Sequence, residues 1–311
     1  MKGRFAPSPT GRMHLGNIYS ALLSWLSVRS QQGAWVLRIE DIDPQRSRPE
    51  YAAQIKDDLR WLGLDWDEDY TQSQRFPIYE QHLERLHDLG LTYPCYCTRA
   101  DIMATQAPHE SDGRIVYAGT CRPATLRQGN SSLLNPKSSF DRKPAVRLFV
   151  PDEEIAFTDV HYGPQSVNLA THCGDFILRR ADGAWAYQLA VVVDDALMGI
   201  TEVVRGRDLL LSAPQQIYLY RLLGYPFPEF CHLPLLCNET GQRLCKRDKS
   251  LDLGELRRHH TPEQIIGLLA FHAGIIPEPT PVQAAELISS FSWDNVPTND
   301  IVLQTVAIGY Q

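Results

Sequence analysis

The sequence has almost none of the features of an exported or membrane-embedded protein. Its start, MKGRF at residues 1–5, lacks the apolar core of a signal peptide, and no run of 18 apolar residues occurs later in the 311 residues. An excess of positive charge is also missing, because 30 Lys and Arg stand against 37 Asp and Glu and give a net charge of −7. This balance excludes a histone-like protein held to nucleic acid by bulk charge, although it is compatible with a local basic groove. We therefore expect a cytoplasmic protein without a membrane-spanning segment.

A disulfide framework is not indicated either. The seven cysteines are an odd number in a chain that is too large to need covalent staples. Without an export signal, reduced thiols, some of them on a metal ion, are the better interpretation. Apolar residues make up 43% and charged residues 22% of the chain, which is ordinary globular usage and argues against wholesale disorder.

The first 90 residues alternate between strand-like and helix-like patterns. Short β-rich runs predict strands at 3–6 and 35–39, and apolar residues at helical spacing predict helices at 17–30 and 49–62. Strand, helix, strand, helix is the pattern of a parallel sheet with covering helices. The expected fold class is therefore α/β.

The pattern changes between residues 94 and 173, which we interpret as an inserted α+β unit. A polar stretch from Arg127 to about Lys143 predicts a mobile surface loop, and alternation at 146–150 predicts a strand. The apolar run 185–193 predicts a buried strand that returns to the parallel sheet. Three further helices are predicted, at 213–223, 262–272 and 282–291.

Two candidate sites lie where the first two strands end. A turn rich in Pro and Gly leads to His14 and Gly16 at a helix start, where backbone N–H groups favour a phosphate and His14 can hydrogen-bond its oxygen. After the second strand, Glu40, Asp41 and Asp43 can receive an ammonium group or a sugar hydroxyl, with Arg38 and Arg46 as compensating cations. Taken singly, the simpler interpretations are an ordinary strand-to-helix turn and a solvated strand end.

A third candidate site is the cysteine cluster formed by Cys95, Cys97 and Cys121. Thiolates two residues apart can hold one ion but are poorly placed to form a disulfide with each other. Structural zinc needs four ligands, and the fourth is open between four residues. These are Tyr117, His109, His172 and Cys173. The alternative is a set of buried free thiols.

A fourth candidate site is the basic loop 242–249, which follows turn residues at 238–241. A loop with several cations can close over a polyphosphate and neutralise charge that develops during transfer. The simpler interpretation is an ordinary solvated loop.

In this order, the pieces resemble class I aminoacyl-tRNA synthetases of the glutamyl type. His14-Leu15-Gly16-Asn17 stands in the place of that family's His-Ile-Gly-His tetrapeptide, and the acidic run 38–43 resembles its strand-end motif. Residues 192–195 and 203–209 resemble its second-half motifs, and 243–247 (RLCKR) stands where the family has Lys-Met-Ser-Lys-Ser. The resemblance covers roughly residues 3 to 250.

The resemblance implies a Rossmann-type catalytic domain in two halves, residues 1–92 and 176–228. It implies an inserted zinc-containing subdomain at 93–175, and the lysine loop with a short helical C-terminal region at 229–311. One structural Zn²⁺ would be held by four ligands. These are Cys95, Cys97, Tyr117 and Cys121.

The resemblance also assigns the substrate sites. Glutamate would be bound by Arg4, Ser8, Glu40, Tyr187 and Arg205. ATP, with Mg²⁺, would contact His14, Gly16, Asn17 and Lys246, of which His14 and Lys246 would act in catalysis. Two arginines suit the carboxylates of an acidic substrate. Asn17, Arg243, Cys245 and Arg247 depart from the family pattern, so one ATP contact and the closure of the loop are altered.

Length predicts which branch of the family the chain resembles. Only 61 residues follow Ser250, too few for the helical anticodon-binding region that full-length members carry there. With the cysteine pattern, this resembles a shortened paralogue that activates L-glutamate with ATP and attaches it to the queuosine base in the anticodon loop of tRNA(Asp). We expect a monomer with this activity.

Three alternatives remain open from the sequence. One is a shortened enzyme that charges the 3′ end of tRNA(Glu). The others are a zinc-stabilised RNA-binding module without catalysis and a small-molecule nucleotidyltransferase, although neither explains the whole set of motifs.

Overall fold

A seven-stranded sheet forms the centre of the molecule in a computed structural model that describes residues 1–104, 116–126, 143–244 and 252–303. Its strands, in chain order, are β1 (Lys2–Phe5), β2 (Ala34–Ile39), β3 (Glu68–Thr71), β6 (Glu154–Asp159), β7 (Gly163–Asn168), β9 (Glu202–Gly206) and β10 (Glu229–Leu233). Their order in space is β3-β2-β1-β9-β10-β6-β7. All neighbours are parallel except the β6–β7 hairpin at one edge. The predicted parallel α/β fold is confirmed.

Helices cover both faces of this sheet. The helices of the described residues are α1 (Leu15–Ser30), α2 (Pro49–Trp61), α3 (Phe76–Asp88), α4 (Arg99–Ala104), α5 (Leu169–His172), α6 (Tyr187–Leu197), α7 (Ala213–Leu223), α8 (Leu253–His259) and α9 (Pro262–His272), of which α4 packs beside the cysteines of the small sheet instead. On one face, α1 contributes to a core that includes Trp35 and Leu37 of β2. On the other face, α3, α6 and α7 pack together in a second core.

Most of the predicted elements are confirmed, one was wrong, and one helix is of a different type. The run 185–193 is not a strand, because Tyr187–Leu197 forms helix α6. This helix is buried from Leu189 to Asp195 on every side, so its sequence lacks the polar stripe that distinguishes a surface helix from a buried strand. The helix predicted at 282–291 is instead a 3₁₀ helix, Ala284–Ser290.

A small antiparallel sheet lies beside the large one. Its strands are β4 (Thr92–Cys95), β5 (Ala145–Leu148) and β8 (Phe176–Arg179), in the order β4-β5-β8. The β6–β7 hairpin lies between β5 and β8 in the chain but pairs with β10 of the large sheet, through Phe230 and Asp159. The remaining strands, β11 (Leu236–Cys237) and β12 (Ile301–Val302), pair with each other.

The loop predicted between Arg127 and Lys143 lies, except for Lys143 itself, outside the described residues. Within the described residues, no helix is long and apolar enough to cross a membrane.

Candidate active site and metal centre

A cavity of about 170 Å³ opens at the carboxyl ends of β1 and β9. The chain runs from β1 outward through β2 and β3, and later continues from β9 on the other side, so the strand order reverses between these two neighbours. Open α/β sheets bind ligands at such a switch point. The cavity is lined by residues that include Arg4, His14, Gly16, Asn17, Tyr187, Arg205, Asp208, Arg243 and Leu244. Six of the residues predicted to bind glutamate or ATP are among them.

Arg205, near the end of β9, is the most unusual side chain of this cavity. It is 6% exposed, and its guanidinium donates to Nε2 of His232 at 3.0 Å and to Oε1 of Gln216 at 2.8 Å. It also donates to the carbonyl of Leu209 at 3.2 Å and to the hydroxyl of Tyr187 at 3.5 Å. All four acceptors are neutral, and no carboxylate of the described residues forms an ion pair with it. Burial lowers the pKa of this guanidinium, since its charge has no anion bonded to it there.

Arg4, on β1, also lines the cavity and shares an anion with a second arginine. Its Nε lies 3.4 Å from Asp195, whose other close partner is Arg38 at 2.6 Å. Burial by itself would raise the pKa of Asp195, but Arg38 and Arg4 outweigh it and lower the pKa. Arg38 also pairs with Glu40 at 3.1 Å. Of the acidic run after β2, Glu40 therefore belongs to a buried ion-pair network, whereas Asp41 and Asp43 are half-buried.

Two of the residues predicted to bind glutamate do not line the cavity. Glu40 is buried against Arg38, and burial raises the pKa of its carboxyl. Ser8 is exposed in the turn after β1, close to Glu40 because the amide of Glu40 donates to the carbonyl of Pro7 at 3.0 Å. The structure thus brings Arg4, Tyr187 and Arg205 to the cavity, and Ser8 and Glu40 are not among the residues that line it.

His14, Gly16 and Asn17 form the N-terminal cap of α1. Nδ1 of His14 accepts from the amide of Gly16, and Oδ1 of Asn17 accepts from the amide of His14, each at 3.1 Å. The amides of Asn17 and Ile18 donate to the carbonyl of His14. These backbone groups are therefore bonded within the cap. Because Nδ1 accepts, the neutral imidazole carries its proton on Nε2.

The first residues of the lysine loop reach the same cavity. Arg243 and Leu244 line it, and Arg243 is ion-paired with Asp208, which follows β9. Residues 245–251 lie outside the described part of the chain, and Lys246, Cys245 and Arg247 are among them.

The three cysteines form a compact cluster whose thiolates could hold a metal ion. The sulfur atoms of Cys95, Cys97 and Cys121 lie within 4.8 Å of one another, and those of Cys97 and Cys121 are 3.5 Å apart. The hydroxyl of Tyr117 lies 3.4 Å from the sulfur of Cys95 and 3.8 Å from that of Cys97. Two sulfur ligands at tetrahedral angles around zinc are about 3.8 Å apart. The donor set and its spacing therefore fit one tetrahedral zinc ion.

Tyr117 is the only candidate fourth ligand that the described residues bring to this cluster. Cys173 instead directs its thiol to the carbonyl of Leu169, and the metal-capable group does not include His172. His109 lies outside the described residues. The guanidinium of Arg147 lies 3.7 Å from the centre of the Tyr117 ring. Its positive charge there offsets the negative charge of the sulfur and oxygen donors.

A glycine on the neighbouring segment permits this placement of Tyr117. Gly174 has φ = +61°, and a Cβ added to it would lie 2.4 Å from the carbonyl oxygen of Tyr117. We expect Gly174→Ala to destabilise the protein by about 1 to 3 kcal/mol and to weaken metal binding, because Tyr117 must move. Denaturant unfolding and metal content would measure both effects.

Gly163→Ala provides the matched control for this substitution. Gly163 also has a positive φ, +71°, but an added Cβ would meet no atom within 4 Å. Gly163→Ala should therefore destabilise the protein by about 1 kcal/mol through backbone strain alone, and its metal content should be normal. Equal metal loss in the two variants would contradict the role given to Gly174.

No sequence motif predicted the side chains that hold Arg205. His232 and Gln216 come from β10 and α7, and Asp159 supports His232 from β6. The sequence signal for His232 was a histidine between the apolar residues Cys231 and Leu233 of a strand, but its partners carry no such signal.

Comparison with known proteins agrees with this fold and site. Residues 1–297 match the family of class I tRNA synthetases (E and Q), catalytic domain, and the chain belongs to this family. A glutamate tRNA ligase from Elizabethkingia meningosepticum, solved in complex with its amino acid, superposes with a TM-score of 0.81 at 28% identity. The match covers 99% of this chain and 68% of that one.

Two relatives are similar over nearly their whole length. A protein of Symbiobacterium thermophilum is 49% identical, covering 96% of this chain and 94% of its own. A protein of Nitratidesulfovibrio vulgaris is 47% identical, and the match covers 97% of this chain and 95% of that protein. Both are named glutamyl-Q tRNA(Asp) synthetase.

Proposed function

We propose that this protein activates L-glutamate with ATP and transfers it to the queuosine base in the anticodon loop of tRNA(Asp). The observation that carries the proposal is the buried guanidinium of Arg205, whose hydrogen-bond partners among the described residues are all neutral and which faces the cavity. A substrate carboxylate would supply the missing anion. The class of the fold implies ATP, and the names of the near full-length relatives support the tRNA acceptor.

In the first step, an oxygen of the glutamate α-carboxylate attacks the α-phosphorus of ATP, pyrophosphate leaves, and glutamyl-adenylate forms. Arg4 and Arg205, on the neighbouring strands β1 and β9, both line the cavity, so they can bind the two carboxylates of one substrate molecule. Glu40, paired with Arg38, and Ser8, in the turn after β1, are proposed to complete the site around the ammonium group. Positioning and charge then supply the catalysis, without a covalent intermediate on the enzyme.

His14 is proposed to hydrogen-bond the phosphates of ATP through Nε2. The cap of α1 holds its ring by Nδ1, so Nε2–H is the group that can donate to a phosphate oxygen. Gly16 and Asn17 would act mainly by fixing this ring, since a Cβ on Gly16 would lie 3.0 Å from it. Lys246, by its position in the motif, is proposed to offset phosphate charge with Mg²⁺.

In the second step, a hydroxyl of the queuosine ring attacks the carbonyl carbon of glutamyl-adenylate, and AMP leaves. One zinc ion on Cys95, Cys97, Tyr117 and Cys121 would stabilise the small sheet by linking segments that are distant in sequence. We further propose that residues 93–175, which contain these four ligands, form a subdomain inserted between the two catalytic halves. The protein is proposed to act as a monomer in the cytoplasm.

The decisive experiment supplies ATP and labelled glutamate with four RNAs. They are tRNA(Asp) with queuosine, the same RNA without its terminal adenosine, tRNA(Asp) without queuosine, and intact tRNA(Glu). We expect transfer to the first two alone, because the base and not the 3′ end is the acceptor. Glutamate-dependent exchange of pyrophosphate with ATP serves as the measure of the first step.

Other outcomes would replace the proposal. Transfer to intact tRNA(Glu) alone would favour an enzyme that charges the 3′ end. Absence of both exchange and transfer, with normal RNA binding, would favour an RNA-binding module.

A further inference from the structure

The proposed glutamate ligand Arg205 is held by a buried histidine and aspartate that belong to none of the family motifs found in the sequence. His232 lies on β10 and Asp159 on β6, and both side chains are fully buried. Nε2 of His232 contacts Nε of Arg205 at 3.0 Å, and Nδ1 of His232 contacts Oδ2 of Asp159 at 2.6 Å. The three residues form a line from the edge hairpin of the large sheet to the cavity.

Hydrogen-bond chemistry determines which nitrogen of His232 carries the proton. The Nε of an arginine can only donate, so Nε2 of His232 must accept. The proton therefore lies on Nδ1 and is donated to Asp159. Burial lowers the pKa of His232, which keeps the ring neutral near neutral pH. Burial alone would raise the pKa of Asp159, but the bonds from His232 and from backbone amides lower it, so this carboxyl stays ionised.

The two oxygens of Asp159 have separate roles. Oδ1 accepts from the backbone amides of His161 at 3.1 Å, Tyr162 at 2.9 Å and His232 at 3.3 Å, which fixes the turn between β6 and β7. In the described residues, Oδ2 accepts from the imidazole alone. The structural role in the turn and the role toward Arg205 can therefore be separated by experiment.

We propose that Asp159 and His232 are positioning residues, which select one imidazole tautomer and thereby orient Arg205 toward the carboxylate of glutamate. The inference rests on the proposed function, because it takes Arg205 as the ligand of glutamate. The opposite tautomer would place Nε2–H against Nε–H of Arg205, and two donors cannot bond. Arg205 would then lose its fixed direction without losing its charge.

Asp159→Asn tests this inference with almost no change of shape. Three backbone amides hold the amide oxygen of the new side chain at the place of Oδ1, so its NH₂ group replaces Oδ2 and faces Nδ1 of His232. The imidazole must then accept at Nδ1 and carry its proton on Nε2. We expect the KM for glutamate in pyrophosphate exchange to rise roughly tenfold or more, with the KM for ATP unchanged.

The matched control is Asp152→Asn, which removes the charge of an exposed aspartate just before β6. Its KM for glutamate should equal that of the unchanged protein. Nitrogen-15 NMR of labelled histidines gives a second readout that a merely structural role would not move. The His232 signal, assigned by its loss in His232→Gln, should show the Nδ1–H tautomer in the unchanged protein and Nε2–H in Asp159→Asn.

The outcomes separate the inference from the proposed function. A folded Asp159→Asn protein with an unchanged KM for glutamate, or with an unchanged tautomer, would overturn the inference. Without exchange in the unchanged protein the proposed function fails, and the tautomer measurement still decides how His232 is held. If Asp159→Asn does not fold, His232→Gln and His232→Met replace it. Of these two variants, only His232→Gln offers Arg205 a hydrogen-bond acceptor. The inference therefore requires a higher KM for glutamate in His232→Met than in His232→Gln.

Discussion

Replacement of Arg205 by alanine is expected to reduce kcat/KM for glutamate in pyrophosphate exchange roughly 100- to 1000-fold. The substitution removes a buried cation of the cavity that forms no ion pair within the described chain, so the substrate carboxylate is left without a partner. Most of the effect should fall on the KM for glutamate, and the KM for ATP should change little. Steady-state exchange kinetics with each substrate varied in turn would measure both.

Two further variants test the geometry of this contact. Arg205→Lys keeps the charge but cannot reach His232, Gln216 and Leu209 together, so it should recover only part of the activity. Arg221→Ala is the control, because Arg221 is exposed on α7 and pairs with Glu153 at 3.6 Å, on the surface. A normal KM for glutamate in a folded Arg205→Ala protein would contradict its role as the carboxylate ligand.

Loss of one thiolate from the cysteine cluster is expected to remove the metal and to lower thermal stability. The purified protein should contain one zinc per chain, and Cys97→Ala should weaken zinc binding more than about 100-fold, since it removes a direct ligand. Metal analysis and thermal unfolding, with and without a chelator, would measure these effects. Cys173→Ala is the matched control, because the thiol of Cys173 bonds the carbonyl of Leu169 and lies outside the cluster.

The role of Tyr117 in this cluster can be tested separately. Tyr117→Phe removes only the hydroxyl that lies near the sulfurs of Cys95 and Cys97. In the cobalt-substituted protein, this change should alter the visible absorption and weaken metal binding. None of the four proposed ligands lines the cavity beside Arg205, so exchange should persist below the lowered unfolding temperature. Unchanged metal content and spectra in Tyr117→Phe would mean that the fourth ligand lies elsewhere.

Local patterns predicted the N-terminal half of the catalytic fold well. The strands at Lys2–Phe5 and Ala34–Ile39 and the helices at Leu15–Ser30 and Pro49–Trp61 are where the sequence placed them. Each has a periodicity of its own and a Pro or Gly boundary, so short-range information is sufficient. The same information failed at Tyr187–Leu197, because a helix buried on all sides and a buried strand are both continuous apolar runs.

The candidate sites show the same difference between features set by nearby residues and features set by distant ones. The motif 14–17 determined its own capping geometry, since its hydrogen bonds join residues two or three positions apart. The spacing of Cys95 and Cys97 similarly favoured a metal site, because two thiolates this close in the chain can reach one ion. Spacing alone could not choose among the distant candidates for a fourth ligand, because the position of Tyr117 depends on the close approach of Gly174. Only the resemblance to the family had indicated Tyr117.

The sequence by itself thus determined the fold class, the helix cap beside the cavity and the residue types that suit an acidic substrate and a metal ion. Only the tertiary structure decided that Arg205 forms no ion pair with the described residues, and that a histidine and an aspartate from two other strands hold it. Long-range contacts of this kind leave no periodicity in the chain. They arise because the parallel strands β9, β10 and β6 lie side by side, which places Arg205, His232 and Asp159 in one line across the sheet.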